Sequence, residues 1–216
     1  MGFTLAANQE NSQEAVPSQP AGSVSIRQAV GVSGAKAMLI VFFCYCALEQ
    51  TIGLWGSSYL VLQKGYTSEI AANFVSIYFI GITVGRAISG FLTFYLDNKS
   101  IIRLGLGIVG IGILLFLLPL GETATLAGFI LLGLGGAPIH PCAIRCTPEY
   151  FGTEYSQVLI GIETASAYAG ACLMPPIFGL IANHISITLL PAYLFLIWVL
   201  MSLMHEKLVH KFAKLP

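Results

Sequence analysis

Charged residues are scarce in this chain: Asp, Glu, Lys and Arg make up only 9% of its 216 residues. A soluble domain carries about 25% charged residues, so the composition excludes an ordinary soluble fold. Hydrophobic residues make up 56% of the chain and the mean hydropathy is +0.82, which together predict an integral membrane protein surrounded by lipid. The ten basic and ten acidic side chains balance, so nothing in the charge indicates a nucleic-acid partner.

Motifs for phosphate binding and for nucleophilic catalysis are also lacking. The sequence holds no GxxxxGK[ST] run, and Ser166 lies in an Ala-Ser-Ala context rather than in G-x-S-x-G. Glycines inside apolar segments, such as Gly105 and Gly133, favour close packing between helices instead. We therefore expect no enzyme activity and no cofactor.

Cysteine gives neither a disulfide framework nor a metal site. The five cysteines are odd in number and all fall in or beside apolar segments. Cys142 and Cys146 share a helix face, but His140 does not lie on it and no fourth ligand is near in sequence. We expect no bound metal.

The first 35 residues have no apolar core of the kind found in secretory signal peptides. Their polar, turn-rich composition predicts a disordered cytoplasmic arm or linker over 1–35. A transmembrane domain is expected over 36–206 and a cytoplasmic tail over 207–216.

Six apolar segments follow the arm, each long enough to cross the ~30 Å hydrocarbon layer at ~1.5 Å per residue with some tilt. Their bounds are Ala37–Leu62, Ile70–Leu96, Ile101–Leu120, Thr123–Ile144, Gln157–Ala182 and Ile187–Met204. The short connections require neighbouring helices to be antiparallel.

Basic residues in the connections set the orientation. Eight of them fall on one side of the predicted membrane, and Lys64 alone falls on the other. The eight are Arg27, Lys36, Lys99, Arg103, Arg145, Lys207, Lys211 and Lys214. Both termini are therefore expected in the cytoplasm of a cell whose plasma or inner membrane holds a multi-pass protein.

Polar side chains are unevenly shared among the six segments. The first, second, fourth and fifth carry ionisable or amide groups, whereas the cores of the third and sixth carry no ionisable group. Polar groups in lipid usually face the bundle interior or a water-filled path. The sequence thus predicts an all-α membrane fold of six helices, in a three-plus-three inverted repeat with the third and sixth helices outermost.

Glycine and proline interrupt the later segments, notably in the runs 133–141 (GLGGAPIHP) and 173–176 (LMPP). Such breaks persist in lipid only where other helices or a wet cavity satisfy the freed backbone groups. Helices broken in this way are typical of transporters.

Several motifs resemble the C-terminal half of a major facilitator superfamily transporter. The Gly85-Arg86-x-x-x-Gly90 run, followed by Asp97, resembles the cytoplasmic loop motif of that superfamily. The runs 137–141 and 147–152, with 173–176, are similar to the fucose–proton-symporter-like branch. The resemblance covers roughly residues 37–211. It implies a secondary transporter of a small solute of the sugar type, working by alternating access and coupled to protons.

Members of that superfamily have twelve helices, whereas this sequence predicts six. We expect a split or truncated reading frame, or pairing with a second six-helix half or another copy of the chain. Two alternatives remain at this point. The chain could be a non-transporting half that acts as a membrane interaction protein, or two copies could form a channel.

Candidate binding residues lie mainly on the first span. Tyr45 and Glu49 share a helix face with Gln50 beside them, and Trp55 follows within about a turn or two. A carboxyl group at this depth suits reversible protonation, while the amide and indole suit a sugar. The alternative is that Glu49 only hydrogen-bonds a neighbouring helix.

Further candidates for solute or proton binding lie on the other polar spans: Asn73, His140, Glu163 and Thr164. His140 could relay protons or could fill a hydrogen bond freed by the prolines beside it. The remaining histidines, at 184, 205 and 210, are interpreted as loop or tail residues.

A second set of residues predicts a cytoplasmic gate: Arg86, Asp97, Arg145 and Glu149, with Glu163 as a further member. Their charges would pair in one conformation and separate in the other. The alternatives for Arg86 are a static ion pair or direct contact with the substrate, and the alternative for Glu163 is direct contact with solute or proton.

Overall fold

The computed structural model describes residues 24–118 and 120–213. Within them the chain forms α1 (Ile26–Gly31), α2 (Ala35–Lys64), α3 (Ser68–Leu92), α4 (Asn98–Leu117), α5 (Glu122–Gly136), α6 (Ile139–His184) and α7 (Leu190–Phe212), with a 3-10 turn at Ile187–Leu189. Most of the predicted arm and Lys214 lie outside the described residues.

Among the described residues, five helical stretches are long and apolar enough to cross a membrane. The longest, Glu122–His184, contains the fourth and fifth of the six predicted spans, so this is a multi-pass membrane protein. Helices α2, α3, α4 and α7 each form one span. The fourth span combines α5 with the first part of α6, and the fifth is the rest of α6. Gly152 separates the two, with φ +76° and ψ 165° inside the 46-residue α6. Only glycine adopts that conformation readily, so the chain turns back at this residue.

Glycines bring α5 into contact with both α3 and α4, as the sequence predicted. A Cβ atom at Gly105 would lie 2.5 Å from the Gly135 carbonyl oxygen, and one at Gly85 would lie 2.8 Å from the Leu134 oxygen. On the other side of the bundle, a Cβ at Gly170 would overlap the Phe43 oxygen of α2. Backbones meet directly at all three crossings.

Aromatic rings fill the space between these glycine contacts. The ring centroids of Tyr59 and Phe116 are 4.8 Å apart, and those of Phe116 and Phe129 are 5.3 Å apart at 89°. Phe74 reaches the same cluster. These rings, from α2, α3, α4 and α5, join four spans into one core.

Exposure is distributed differently from the prediction that the third and sixth spans are outermost. In the most apolar stretch of each helix, 50% of α4 is buried, against 28% of both α3 and α7. Helix α3 is therefore as exposed as α7. The reason is that α3 packs through its small face at Gly81 and Gly85, which leaves the rest of its circumference open.

The structure also differs from the expected disorder near the end of the arm. Residues 26–31 form α1, in which the Ser25 amide donates to the Gln28 side chain over 3.1 Å. Ala29 is fully buried, and the turn after α1 packs at Gly34 against the Phe212 ring. Burial of these small residues gives the segment a fixed place on the bundle.

Candidate functional site

Glu49 and Arg86 face each other across the contact of the first two spans. Glu49 Oε1 lies 4.0 Å from Arg86 Nη2, and the two side chains are 16% and 57% exposed. In this conformation Arg86 thus approaches the Glu49 carboxylate of α2 rather than another member of the predicted gate. The geometry follows from antiparallel packing: Arg86 lies less than two turns before the end of α3, and its long side chain reaches back toward the middle of α2.

Two tyrosines surround this ion pair. Tyr45 lies one turn before Glu49 on α2 and is 4% exposed, and its hydroxyl has no hydrogen-bond partner among the described residues. The Tyr78 hydroxyl donates to the Glu49 backbone oxygen over 3.5 Å. A buried hydroxyl without a partner is costly, and the Tyr45 hydroxyl lies near the Glu49 and Arg86 side chains, with which a small shift would pair it.

His140 continues the same cluster from α6. Its ring is half-buried, with its centroid 5.1 Å from that of Phe42 and 5.6 Å from that of Tyr45. The structure therefore brings Tyr45, Glu49, Arg86 and His140 together from three spans. We call these four residues the central cluster.

Trp55 lies at a helix contact instead. Its indole N–H donates to the Pro175 oxygen over 3.0 Å, and its ring packs edge-on against Phe178. A Cβ at Gly179 would lie 2.8 Å from the ring. Its indole N–H and one ring face are thus engaged with α6, and we leave it out of the central cluster.

The remaining candidates are not brought to Glu49 by hydrogen bonds within the described residues. Gln50 and Asn73 have exposed side chains. The Thr164 hydroxyl donates to the Ile160 oxygen of its own helix over 2.8 Å. These three residues lie on the polar spans, as expected, but they form no common contact.

Glu163 is 1% exposed and lies against Thr147, a residue that the sequence did not single out. The Thr147 Oγ1 atom lies 3.0 Å from Oε1 and 2.9 Å from Oε2 of the carboxyl group. In the described part of the chain no cation lies within ion-pair distance of Glu163, so Glu163 is not paired with the predicted gate residues in this conformation. One hydroxyl proton cannot satisfy both carboxylate oxygens.

The four predicted gate residues form no ion pairs with one another in the residues described. Asp97 is exposed and precedes α4, where the nearby Ser100 hydroxyl stabilises the carboxylate and holds the pKa of Asp97 below its usual range. Glu149 accepts a bond of 3.2 Å from the Asn98 amide. Arg145 is exposed.

An ion pair that sequence reasoning missed joins α4 to α7. Arg103 Nε and Nη2 each lie 2.6 Å from an oxygen of Glu206, and His210 lies 3.9 Å from the same carboxylate. The sequence could have indicated this pair, because the third span begins and the sixth span ends at the same membrane face, which places Arg103 and Glu206 at similar depth. His205, interpreted from sequence as a loop or tail residue, is buried in α7.

Comparison with known proteins identifies the fold. The family model described as Major Facilitator Superfamily matches residues 8–211. No curated protein matches the sequence. Among solved structures, the fucose:proton symporter of Escherichia coli superposes with a TM-score of 0.71 at 14% identity, over 85% of this chain and 46% of that protein.

A POT family transporter, crystallised with a thioalcohol-conjugated peptide, superposes with a TM-score of 0.67 at 15% identity. The match covers 80% of this chain and 37% of that transporter. The chain thus spans less than half the length of the solved transporters that it matches. With six spans, this glycine-mediated packing and a family match over nearly its whole length, the chain belongs to the Major Facilitator Superfamily.

Proposed function

We propose that this chain forms one half of a secondary transporter that moves a small solute of the sugar type by alternating access. A second six-helix unit, or another copy of the chain, would complete the cavity, with both termini in the cytoplasm. The family supports transport, and the sugar class rests on the resemblance of the runs 137–141, 147–152 and 173–176 to the fucose–proton-symporter-like branch.

The central cluster carries the proposal. Glu49 supplies acceptors and Arg86 supplies donors, so together they match the paired hydroxyl groups of a sugar. Their 4.0 Å separation is long for an ion pair, so a polar ligand can enter between them at modest cost. The buried Tyr45 hydroxyl, without a partner in the described structure, offers a third contact.

Proton coupling is assigned to Glu163. A carboxylate that is 1% exposed and lacks a cation is far more costly than a neutral carboxylic acid. In the neutral form Glu163 donates to Thr147 Oγ1, while the Thr147 proton turns to the Ala143 oxygen, 3.4 Å away. Each donor then has one acceptor. Release of this proton would require Glu163 to reach water when the spans rearrange.

Rearrangement has defined places in the chain. Gly152 separates the fourth and fifth spans, and Pro175 and Pro176 remove two backbone donors inside the fifth. The two prolines weaken the helix, so it can bend at this point. The Trp55 indole, which donates to the Pro175 oxygen, keeps the bend in contact with α2. Alternating access would use these bends.

Solute-driven proton uptake in vesicles is the test. The chain, reconstituted with whatever supplies the second half, should take up protons on addition of L-fucose or another member of a hexose and deoxyhexose panel. Glu49→Gln should reduce solute uptake at least about tenfold, since a charged hydrogen bond contributes roughly 1.5–3 kcal/mol. Glu69→Gln, which removes a charge from the exposed first turn of α3, is the matched control.

The outcomes separate the alternatives. Uptake that is unchanged in Glu49→Gln would reject the central cluster as the binding site. If the solute only equilibrates across the vesicle membrane and never accumulates against its own concentration gradient, the result would indicate a channel formed by two copies. A chain that binds no panel member with any partner would indicate a non-transporting half.

A further inference from the structure

A cavity of about 330 Å³ lies between the α1–α2 turn and the last turns of α7, and it shares no lining residue with the central cluster. Its lining includes three lysines, Lys36, Lys207 and Lys211, together with Ser33 and Gly34. We call it the lysine pocket. Neither the transport mechanism nor the family match makes use of it.

The charged side chains that line the lysine pocket are all positive. None of the three ammonium groups has a carboxylate within 4.0 Å among the described residues. Glu206, the acidic residue next to Lys207, has both oxygens bound to Arg103. Three like charges around one cavity repel each other, and an anion placed between them would relieve that repulsion.

Backbone groups add to the positive potential. Helix α2 begins at Ala35, and its N-cap Gly34 (φ +108°) has no side chain to cap the helix. The amides of Ala35, Ala37 and Met38 have backbone acceptors, whereas that of Lys36 has none in the described structure. A free amide at the start of a 30-residue helix attracts negative charge.

Side-chain contacts hold the pocket in shape. Lys211 Nζ donates to Ser33 Oγ, which ties α7 to the α1–α2 turn. A Cβ at Gly34 would lie 3.0 Å from the Phe212 ring, so the turn rests directly on the end of α7. Lys211 is therefore positioned by the fold, while Lys36 and Lys207 are exposed at the edge of the same cavity.

The position of the pocket identifies the source of the anion. Lys36 comes directly before the first apolar span, and Lys207 comes just after the last one ends at Met204. The pocket thus lies at the depth of lipid headgroups. Part of its lining is apolar, from Val30, Val32 and Leu208, as the glycerol and first methylenes of a lipid require.

We propose that the lysine pocket binds the phosphate of an anionic phospholipid headgroup. Basic pockets between transmembrane helices on the cytoplasmic side bind such headgroups, with a contribution of about 1 kcal/mol per lysine near the surface. The site is independent of solute transport and rests on the proposed placement of both termini at the cytoplasmic face.

Native mass spectrometry of the detergent-solubilised full chain tests this site. Titration with short-chain phosphatidylglycerol should show one tight site, and phosphatidylcholine should bind much more weakly. The triple variant Lys36→Gln, Lys207→Gln, Lys211→Gln should weaken phosphatidylglycerol binding roughly 100-fold, and Lys207→Gln alone about fivefold.

Two controls make the result specific. Lys64→Gln removes the same charge at the other membrane face and should leave binding unchanged. The three lysines replaced together by arginine should keep the site, which separates loss of charge from loss of folding. Equal binding of phosphatidylcholine, an equal loss in Lys64→Gln, or inorganic phosphate binding as tightly as the lipid would each overturn the proposal.

Discussion

The two glutamates inside the membrane spans, Glu49 and Glu163, have different neighbouring side chains. Glu49 is partly exposed and has Arg86 within 4.0 Å, whereas Glu163 is buried with only Thr147 beside it. The same side-chain type therefore meets a cation in one span and a single hydroxyl in another. The first environment suits a charged ligand contact, and the second suits a neutral acid.

Removal of the Thr147 hydroxyl tests the Glu163 environment. Thr147→Val keeps the shape but leaves the buried carboxyl without a partner, and we expect a loss of about 1–3 kcal/mol in stability, seen as a lower Tm. Thr147→Ser keeps the hydroxyl and should therefore have a Tm close to that of the unsubstituted protein. Thr83→Val, at an exposed position of α3, is a matched control. A valine variant as stable as the serine variant would contradict the assignment.

The candidate residues could be predicted from sequence, but their partners could not. Glu49, His140 and Tyr45 were identified because polar groups in apolar segments are costly. Arg86 was assigned to the gate because sequence gives its position along α3 and not the reach of its side chain. Thr147 was missed because the fourth segment was predicted to end at Ile144, which left Thr147 in the following connection rather than in α6.

At the scale of helices, the spans follow from hydropathy and their crossings follow from glycine. All six segments form helix, but the fourth continues past its predicted end at Ile144 as far as Phe151. Pro141 lies in the first turn of α6, where the missing amide has no helical acceptor to lose. The break falls at Gly152, where the backbone conformation requires glycine.

Close packing of α6 on α2 gives a prediction with an internal control. Gly170→Ala should destabilise the protein by about 1–3 kcal/mol, because the added methyl group meets the backbone of Phe43. Gly161→Ala, on the same helix with no atom within 4 Å of the new Cβ, should leave Tm unchanged or raise it slightly. Thermal unfolding in detergent measures both. Equal effects would contradict the packing described for these helices.

At the scale of the molecule, α3 is one of the two most exposed spans of the bundle, as open as α7. Helix α3 exposes Arg86, Asn73 and Thr83 together with Phe79 and Ile80, a mixture that lipid alone does not favour. The sequence placed α3 among the polar spans, which agrees with this surface. The sequence could not show how much of the α3 surface is exposed, because that depends on the width of the glycine face through which α3 packs on α5.

We expect the open side of α3 to contact the second six-helix unit. Cysteine introduced at Ser76, on this side, should be protected from a water-soluble thiol reagent when the second unit is present and should react without it. A cysteine introduced at Leu203, on the exposed side of α7, should react with the reagent to the same extent with and without the second unit. Cys172 is already exposed and should first be replaced by serine. Equal reactivity at Ser76 in both preparations would place the interface elsewhere.

The central claim is that Glu49 and Arg86 act together on one solute. A double-mutant cycle measures this directly, with the affinity of the best-binding sugar from the hexose and deoxyhexose panel determined by thermal shift for Glu49→Gln, Arg86→Gln and the double variant. We predict that each single variant weakens binding at least about tenfold and that the double variant is no weaker than either, because the pair forms one site. Losses that simply add, or affinities that do not change, would contradict the account.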